Sequence, residues 1–275
     1  MKAFIAAGLM IVTMLIAGAS GRPPGAQSPL DRLFARIPPR SVAKPSTEAE
    51  YRFSVDYINA DAHGTPSSTQ RIVGTYVVNP ISGMTTWRSV TAGSAPGSPT
   101  EVKASEHQPF IEGMHYDRSA KPFSADFFAR FPPQATPEKN LVWDTWMFDE
   151  FIESSFDKLE PNVPIRFASG EVSLGGAGSF LNKDIRLTWV GVSRRNGRDC
   201  ALVRYEAFLN TFTIELPGMK VVGRSEFWGD MWVALGSRIL EFATLREEVV
   251  GNLTSGQAGT QAIHVLRVGY VERTN

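Results

Sequence analysis

One cysteine, four histidines and no excess of either charge restrict the chemistry open to this chain of 275 residues. A single cysteine excludes an intrachain disulfide framework and a cysteine-rich zinc site. Lys plus Arg and Asp plus Glu both total 28, which gives a formal charge of zero. Nucleic-acid binders usually carry a basic excess, so we expect no nucleic-acid partner. The 43% share of hydrophobic residues is that of a folded protein and excludes a disordered chain.

The common catalytic and cofactor-binding motifs are also missing. The sequence after the N-terminal segment has no G-x-S-x-G nucleophile elbow, no H-E-x-x-H metal motif and no phosphate-binding glycine loop. The glycine-rich stretch 170–178 fits neither glycine-loop pattern and is typical of a turn or bulge. We therefore assign no catalytic residue and no cofactor.

Long apolar runs are absent except at the N-terminus. Lys2 precedes an almost entirely apolar run over 3–17, and the small residues Gly18, Ala19 and Ser20 follow it. This is the pattern of a cleaved secretory signal peptide, predicted over 1–19. A run of roughly 15 residues is short for a membrane span, which needs about 20. No cysteine stands at the cleavage point, so we expect no lipid anchor there and a periplasmic or secreted protein.

A proline-rich linker is predicted over 20–46, because its six prolines block regular structure. Apolar residues at 30, 33, 34 and 37 have helical spacing, which predicts a short helix within it. The remaining residues, 47–275, are predicted to form one β-rich domain.

Alternating apolar and polar residues predict most of this domain as strands. The Asn196-Gly197 pair predicts a tight hairpin turn, and Gly229-Asp230 is expected to be another turn. Residues 91–108 are expected to form a surface loop, and the strand over 261–272 is expected to be covered on both faces. The candidate strands are 51–57, 71–78, 84–90, 184–192, 199–210, 211–215, 220–228, 231–235, 237–250 and 261–272.

One long helix is predicted over 138–159, because proline follows Thr136 and a densely apolar run comes next. Short connections between the later strands favour an antiparallel arrangement. The predicted fold class is mainly β: an antiparallel meander, a partial barrel or a curved sheet, packed on this helix. The aromatic residues of the helix and of the later strands indicate an aromatic core, with a ligand pocket as the alternative. They are Trp143, Trp146, Phe148, Phe151, Phe156, Trp189, Phe227, Trp228 and Trp232.

Two groups of polar residues and the single cysteine are candidate chemical sites. A loop cluster could hold a metal, but its spacing matches no ligand pattern and indicates ordinary loop residues. Asp149, Glu153 and Asp157 share one helix face, which indicates a solvated acidic face more than a glycosidase pair. Cys200 is expected to be a buried structural thiol. The loop cluster consists of His107, Glu112, His115 and Asp117.

Two resemblances can be stated on these residues. The stretch 184–250 contains Cys200-Ala201 and, later, the segment 223–233 (GRSEFWGDMWV). It resembles a family of secreted bacterial β-rich proteins, a domain of unknown function. That resemblance covers about a quarter of the chain and implies no site residue. The signal peptide, the meander and the helix are similar in architecture to the half-open barrels that carry lipids or lipoproteins in the bacterial envelope, a likeness of fold only.

These observations favour a non-enzymatic binding protein of the periplasm or exterior. Its expected partner is a lipid, another apolar ligand or an envelope protein. Two alternatives stay open: an envelope hydrolase that uses carboxylates or the loop metal site, and a structural protein of a surface assembly that pairs through exposed strand edges.

Overall fold

A computed structural model shows how the chain folds. The predicted signal peptide and linker lie outside the part of the chain that the structure describes. The described residues are 48–61, 63–103, 105–120, 124–256 and 259–275.

The protein is mainly β, and its strands form one large antiparallel sheet that is not closed. This confirms the predicted fold class. Along the sheet the strand order is β4-β3-β2-β1-β13-β12-β11-β10-β8-β7, while β5 pairs with β3, and β9 pairs with both β10 and β6. The strands are β1 (Ala49–Ala60), β2 (Pro66–Val78), β3 (Met84–Pro96), β4 (Glu106–His107), β5 (His115–Asp117), β6 (Ile165–Phe167), β7 (Gly170–Ser173), β8 (Gly178–Asn182), β9 (Asp184–Arg195), β10 (Arg198–Leu216), β11 (Met219–Ala234), β12 (Leu240–Ser255) and β13 (Gly259–Arg273).

The predicted helix is present as α1 (Thr136–Ser155), continued by a short 3-10 turn at Phe156–Lys158. Pro137 occupies the first turn, where its missing N–H costs nothing. The helix packs against the sheet and buries Leu141, Phe148 and Ile152 in the main apolar core. None of the described helices is long and apolar enough to cross a membrane.

Strand β10 is longer than predicted and pairs with two strands placed end to end. Residues 198–208 pair with β9, whereas Thr211–Ile214 pair with β8. A register shift separates Ala207 from Asn210, and Leu209 between them has φ +62°. The irregularity reverses the facing of the strand, so Leu209 is 56% exposed although the alternation predicted it with the buried residues.

The turn expected at Gly229-Asp230 is wrong, because β11 continues through both residues. The Tyr205 hydroxyl donates to the backbone carbonyl of Thr244, at 2.7 Å, and its ring crosses the backbone of Gly229 on the way. A Cβ at Gly229 would lie 2.6 Å from that hydroxyl oxygen and would overlap the Thr244 carbonyl oxygen. The glycine therefore serves close packing within a strand.

Three other expectations need correction. The surface loop expected over 91–108 contains the second half of β3 and all of β4, since these residues complete one sheet edge. The stretch 170–178 contains β7 and the start of β8, joined by a turn. The outer face of β13 is partly open, and Val268 there is 44% exposed.

Candidate ligand-binding cavity

Two adjoining cavities lie between α1 and the sheet. The first, of about 360 Å³, is lined on one side by residues 140–151 of α1 and is called the helix compartment. The second, of about 470 Å³, is lined largely by strands and is called the strand compartment. Both volumes fall in the range of small-molecule binding sites. Their shared boundary is formed by Asn140, Trp143, Leu174, Phe180, Glu247 and Arg267.

The walls on either side of this boundary are predominantly apolar. The helix compartment is lined by aromatic and aliphatic side chains, chiefly Trp146, Met147, Phe151, Phe167, Ile185 and Phe227. The strand compartment has a chiefly aliphatic wall made by Ile214, Leu216, Val221, Val249, Ile263 and Val265. Of the aromatic residues considered from sequence, Phe148, Phe156 and Trp189 lie in the core. Phe151 lies in the core and also lines the helix compartment, so the aromatic core and the cavity wall share a residue.

The boundary contains a buried network of charges that joins the helix to the sheet. The Arg267 guanidinium donates through Nη2 to Asp144 of α1 and through Nη1 to Glu247 of β12. Glu247 also accepts a hydrogen bond from the Ser225 hydroxyl. The side chains of Arg267, Asp144 and Glu247 are all at most 10% exposed. Buried charges require such partners, because removing an unpaired ion from water into an apolar interior costs several kcal/mol.

Further polar contacts hold α1 over the cavities. The Tyr57 hydroxyl donates to the carbonyl of Pro137 at 3.0 Å and accepts from the Asn140 side chain at 3.1 Å. Near the other end, Arg118 Nε donates to Asp149 at 3.0 Å. The helix that roofs the cavities is thus attached to the sheet and its loops by directional contacts as well as by packing.

Burial and the ion pair with Arg267 shift the pKa of Asp144 in opposite directions. Desolvation raises the pKa of Asp144 to about 6, against the lowering effect of Arg267, and the nearby Glu247 carboxylate raises it further. Burial also raises the pKa of Asp149, although Arg118 opposes the shift. Ionised Asp144 is therefore held in place by Arg267 but remains costly to bury.

The Asp144→Asn variant should show how this carboxyl affects stability. Between about pH 4 and pH 6 the folded wild type retains a proton that the unfolded chain releases, so its stability should fall as pH rises. Relative to the variant, we expect a loss of about 1–3 kcal/mol across this window. Urea unfolding at pH 4, 5, 6 and 7 measures the difference.

Asp117→Asn is the comparison variant, because the Asp117 carboxyl should change stability with pH in the opposite direction. Hydrogen bonds from Ser119 lower the pKa of the exposed Asp117 carboxyl, so its contribution should be present at neutral pH and lost below about pH 4. Parallel pH profiles for wild type and Asp144→Asn would contradict the assignment for Asp144.

The loop cluster considered from sequence is not assembled into a ligand set. His107 Nε2 lies 3.8 Å from Glu112, which itself accepts from the Ser89 backbone N–H at 2.8 Å. His115 contacts the Gly113 carbonyl, and Asp117 accepts from the Ser119 backbone. Within the described ranges no three His, Cys, Asp or Glu residues are placed to hold a metal ion.

The acidic helix face is only partly solvated. Glu153 and Asp157 are exposed, but Asp149 is not, since its side chain is 14% exposed and pairs with Arg118. The expectation of a solvated face is therefore wrong for Asp149. Asp157 pairs with Arg238 at 2.6 Å. None of these three carboxylates lines either cavity.

Cys200 is buried, as expected for a structural thiol. Burial raises the pKa of the thiol to about 11, so it stays protonated at neutral pH. Its Sγ faces the Arg198 carbonyl at 3.5 Å. A protonated buried thiol is a poor nucleophile.

The three buried charges at the cavities, Asp144, Glu247 and Arg267, were not predicted from the sequence. Asp144 stands among apolar positions of α1, between Leu141 and Phe148. Glu247 and Arg267 occupy inward positions of β12 and β13 and face each other across the strand pair. Each is a charged residue at a position where the periodicity predicts an apolar one. This mismatch is the sequence feature that could have identified them.

Comparison with known proteins adds no relative. No protein-family model matches the chain, and no curated protein sequence matches it.

Proposed function

We propose that the protein is a non-enzymatic binding protein for an apolar ligand, which occupies the two compartments between α1 and the sheet. The observation that carries the proposal is the pair of adjoining, predominantly apolar cavities between α1 and the sheet. Native interiors are close-packed, so cavities of this size are exceptions that call for a function. The apolar N-terminal run supports a site of action in the periplasm or outside the cell.

The strand edges do not favour the alternative of surface assembly. The outermost strands along the sheet, β4 and β7, are two and four residues long. Short edge strands are a common protection against edge-to-edge pairing. No described feature favours the hydrolase alternative over ligand binding.

Filling the strand compartment should abolish binding. Val265 lines this compartment, and in Val265→Trp the indole should occupy the volume that a ligand needs. We expect saturable binding of the neutral dye N-phenylnaphthylamine to the wild type and an affinity at least about tenfold weaker in the variant. Dye fluorescence titration measures both, with native mass spectrometry to detect any ligand that co-purifies.

Val268→Trp is the matched control. Val268 lies three residues further along the same strand, on the outer face, and is 44% exposed. It should bind the dye like the wild type. The proposal fails if the wild type does not bind the dye, or if both tryptophan variants bind it equally well.

A further inference from the structure

Lys139 is the one residue of the strand compartment whose charge has no partner among the described residues. It lies in the first part of α1, is 7% exposed and lines the compartment beside Tyr57 and Pro137. No described carboxylate forms an ion pair with it, and its Nζ lies 5.7 Å from the centroid of the Phe128 ring. By contrast, Lys158 and Lys220 are exposed and have oxygen partners.

Burial is unfavourable for the charged form of this ammonium group. Desolvation lowers the pKa of Lys139 for that reason. The nearby aromatic ring offsets only part of that cost. Residues that break a local rule without a compensating contact within the protein are found preferentially at functional sites. A bound anion would supply the missing contact.

The charges facing the two compartments differ in sign. Lys139, Arg267 and Glu247 face the strand compartment, and Arg267 and Glu247 neutralise each other there. The helix compartment instead has an acidic excess, since Asp144, Glu150 and Glu247 face it against Arg267 alone. Glu138, which precedes Lys139, is buried but lines neither compartment. The uncompensated positive charge of the cavity is therefore at Lys139.

We propose that the ligand is an amphiphile with an anionic headgroup, held by the Lys139 ammonium, whose apolar chain lies along the strand compartment. The wall that receives the chain is formed by Ile214, Val221, Val249, Ile263 and Val265. The headgroup chemistry is that of a carboxylate or a phosphate, since either accepts charge-assisted hydrogen bonds from an ammonium. This inference rests on the proposed function, because it names the ligand of the same cavity.

Displacement of N-phenylnaphthylamine tests the proposal. Tetradecanoate, tetradecyl phosphate and tetradecanol share one chain length and differ in headgroup, and all are used below the concentration at which they form micelles. The wild type should bind at least one of the two anions about tenfold more tightly than the alcohol. The anion that binds more tightly identifies the headgroup.

Substitutions at Lys139 assign the preference to this residue. In Lys139→Met the anion should bind about as weakly as the alcohol, whose affinity should change less than about twofold. Lys139→Arg should retain the preference, and Lys158→Met is the control for loss of an exposed lysine. The melting temperature of Lys139→Met should equal or exceed that of the wild type, because a buried unpaired charge is removed.

The outcomes separate the two proposals. If the dye and tetradecanol bind but neither anion is preferred, or if Lys139→Met keeps the preference, the anionic ligand is refuted and apolar binding stands. If the wild type does not bind the dye, the proposed function fails and this inference fails with it.

Discussion

Replacing Arg267 with methionine should lower the free energy of unfolding by about 3–5 kcal/mol at neutral pH, because it leaves two buried carboxylates without a cation. Asp144 and Glu247 both bond to this guanidinium and have no other cationic partner within the described network. The deficit should narrow toward pH 4, where the Asp144 carboxyl of the variant can take up a proton. Urea unfolding at pH 7 and at pH 4 measures both effects.

Arg204→Met is the matched control for the loss of an arginine ion pair. Arg204 Nε donates to Asp230 at 3.0 Å on the surface, with side chains 51% and 27% exposed. Exposed pairs contribute little, so a loss within about 1 kcal/mol is expected. The triple variant D144L/E247M/R267M should recover most of the stability, since it removes the charges together. Equal losses in Arg267→Met and Arg204→Met would show that the buried network does not secure the helix.

Gly229→Ala should destabilise the protein by about 3 kcal/mol, at the upper end of the usual cost of overpacking. The added methyl group would meet the Tyr205 ring and the Thr244 carbonyl, and neither can withdraw without breaking the hydrogen bond between them. Because Tyr205 contacts Phe148 and Phe151 of α1, the disturbance should reach the helix. Urea unfolding and near-ultraviolet circular dichroism report the two effects.

Gly191→Ala tests whether any glycine in a strand would do the same. A Cβ at Gly191 in β9 would have no atom within 4 Å, so its substitution should change stability by less than about 0.5 kcal/mol. If the two alanine variants are equally stable, the close approach at Gly229 is not what requires the glycine there.

The sequence was most informative where a pattern repeats along one element. Alternation in β1 predicted its buried face, and the proline and apolar run around Thr136 predicted α1 to within a few residues. It failed where a contact between distant residues decides the local structure. Gly229-Asp230 has the composition of a turn, but Gly229 pairs with Tyr205, 24 residues away, within a continuous strand.

The binding cavity was harder to predict than the fold. The sequence indicated that aromatic residues would pack together in a core. Which of them line a cavity depends on the distance between α1 and the sheet, which the sequence does not show. Asp144 and Arg267 are separated by 123 positions, and no periodicity relates them. Lys139 looks like an ordinary helix residue until the structure shows that it is buried beside an apolar wall.

The end-to-end arrangement of β8 and β9 along β10 bears on how a ligand enters. The hairpin of β7 and β8 supplies Val172, Leu174 and Phe180 to the cavity walls, yet its backbone joins the sheet over a short stretch. The contacts are the pairing with Thr211–Ile214 and one hydrogen bond from the Glu215 N–H to the Ala177 carbonyl. Hydrogen exchange is fastest in segments with few cross-strand bonds, because they open at the lowest free energy. This hairpin should therefore exchange before the central strands do, and its opening uncovers the cavity while α1 remains attached.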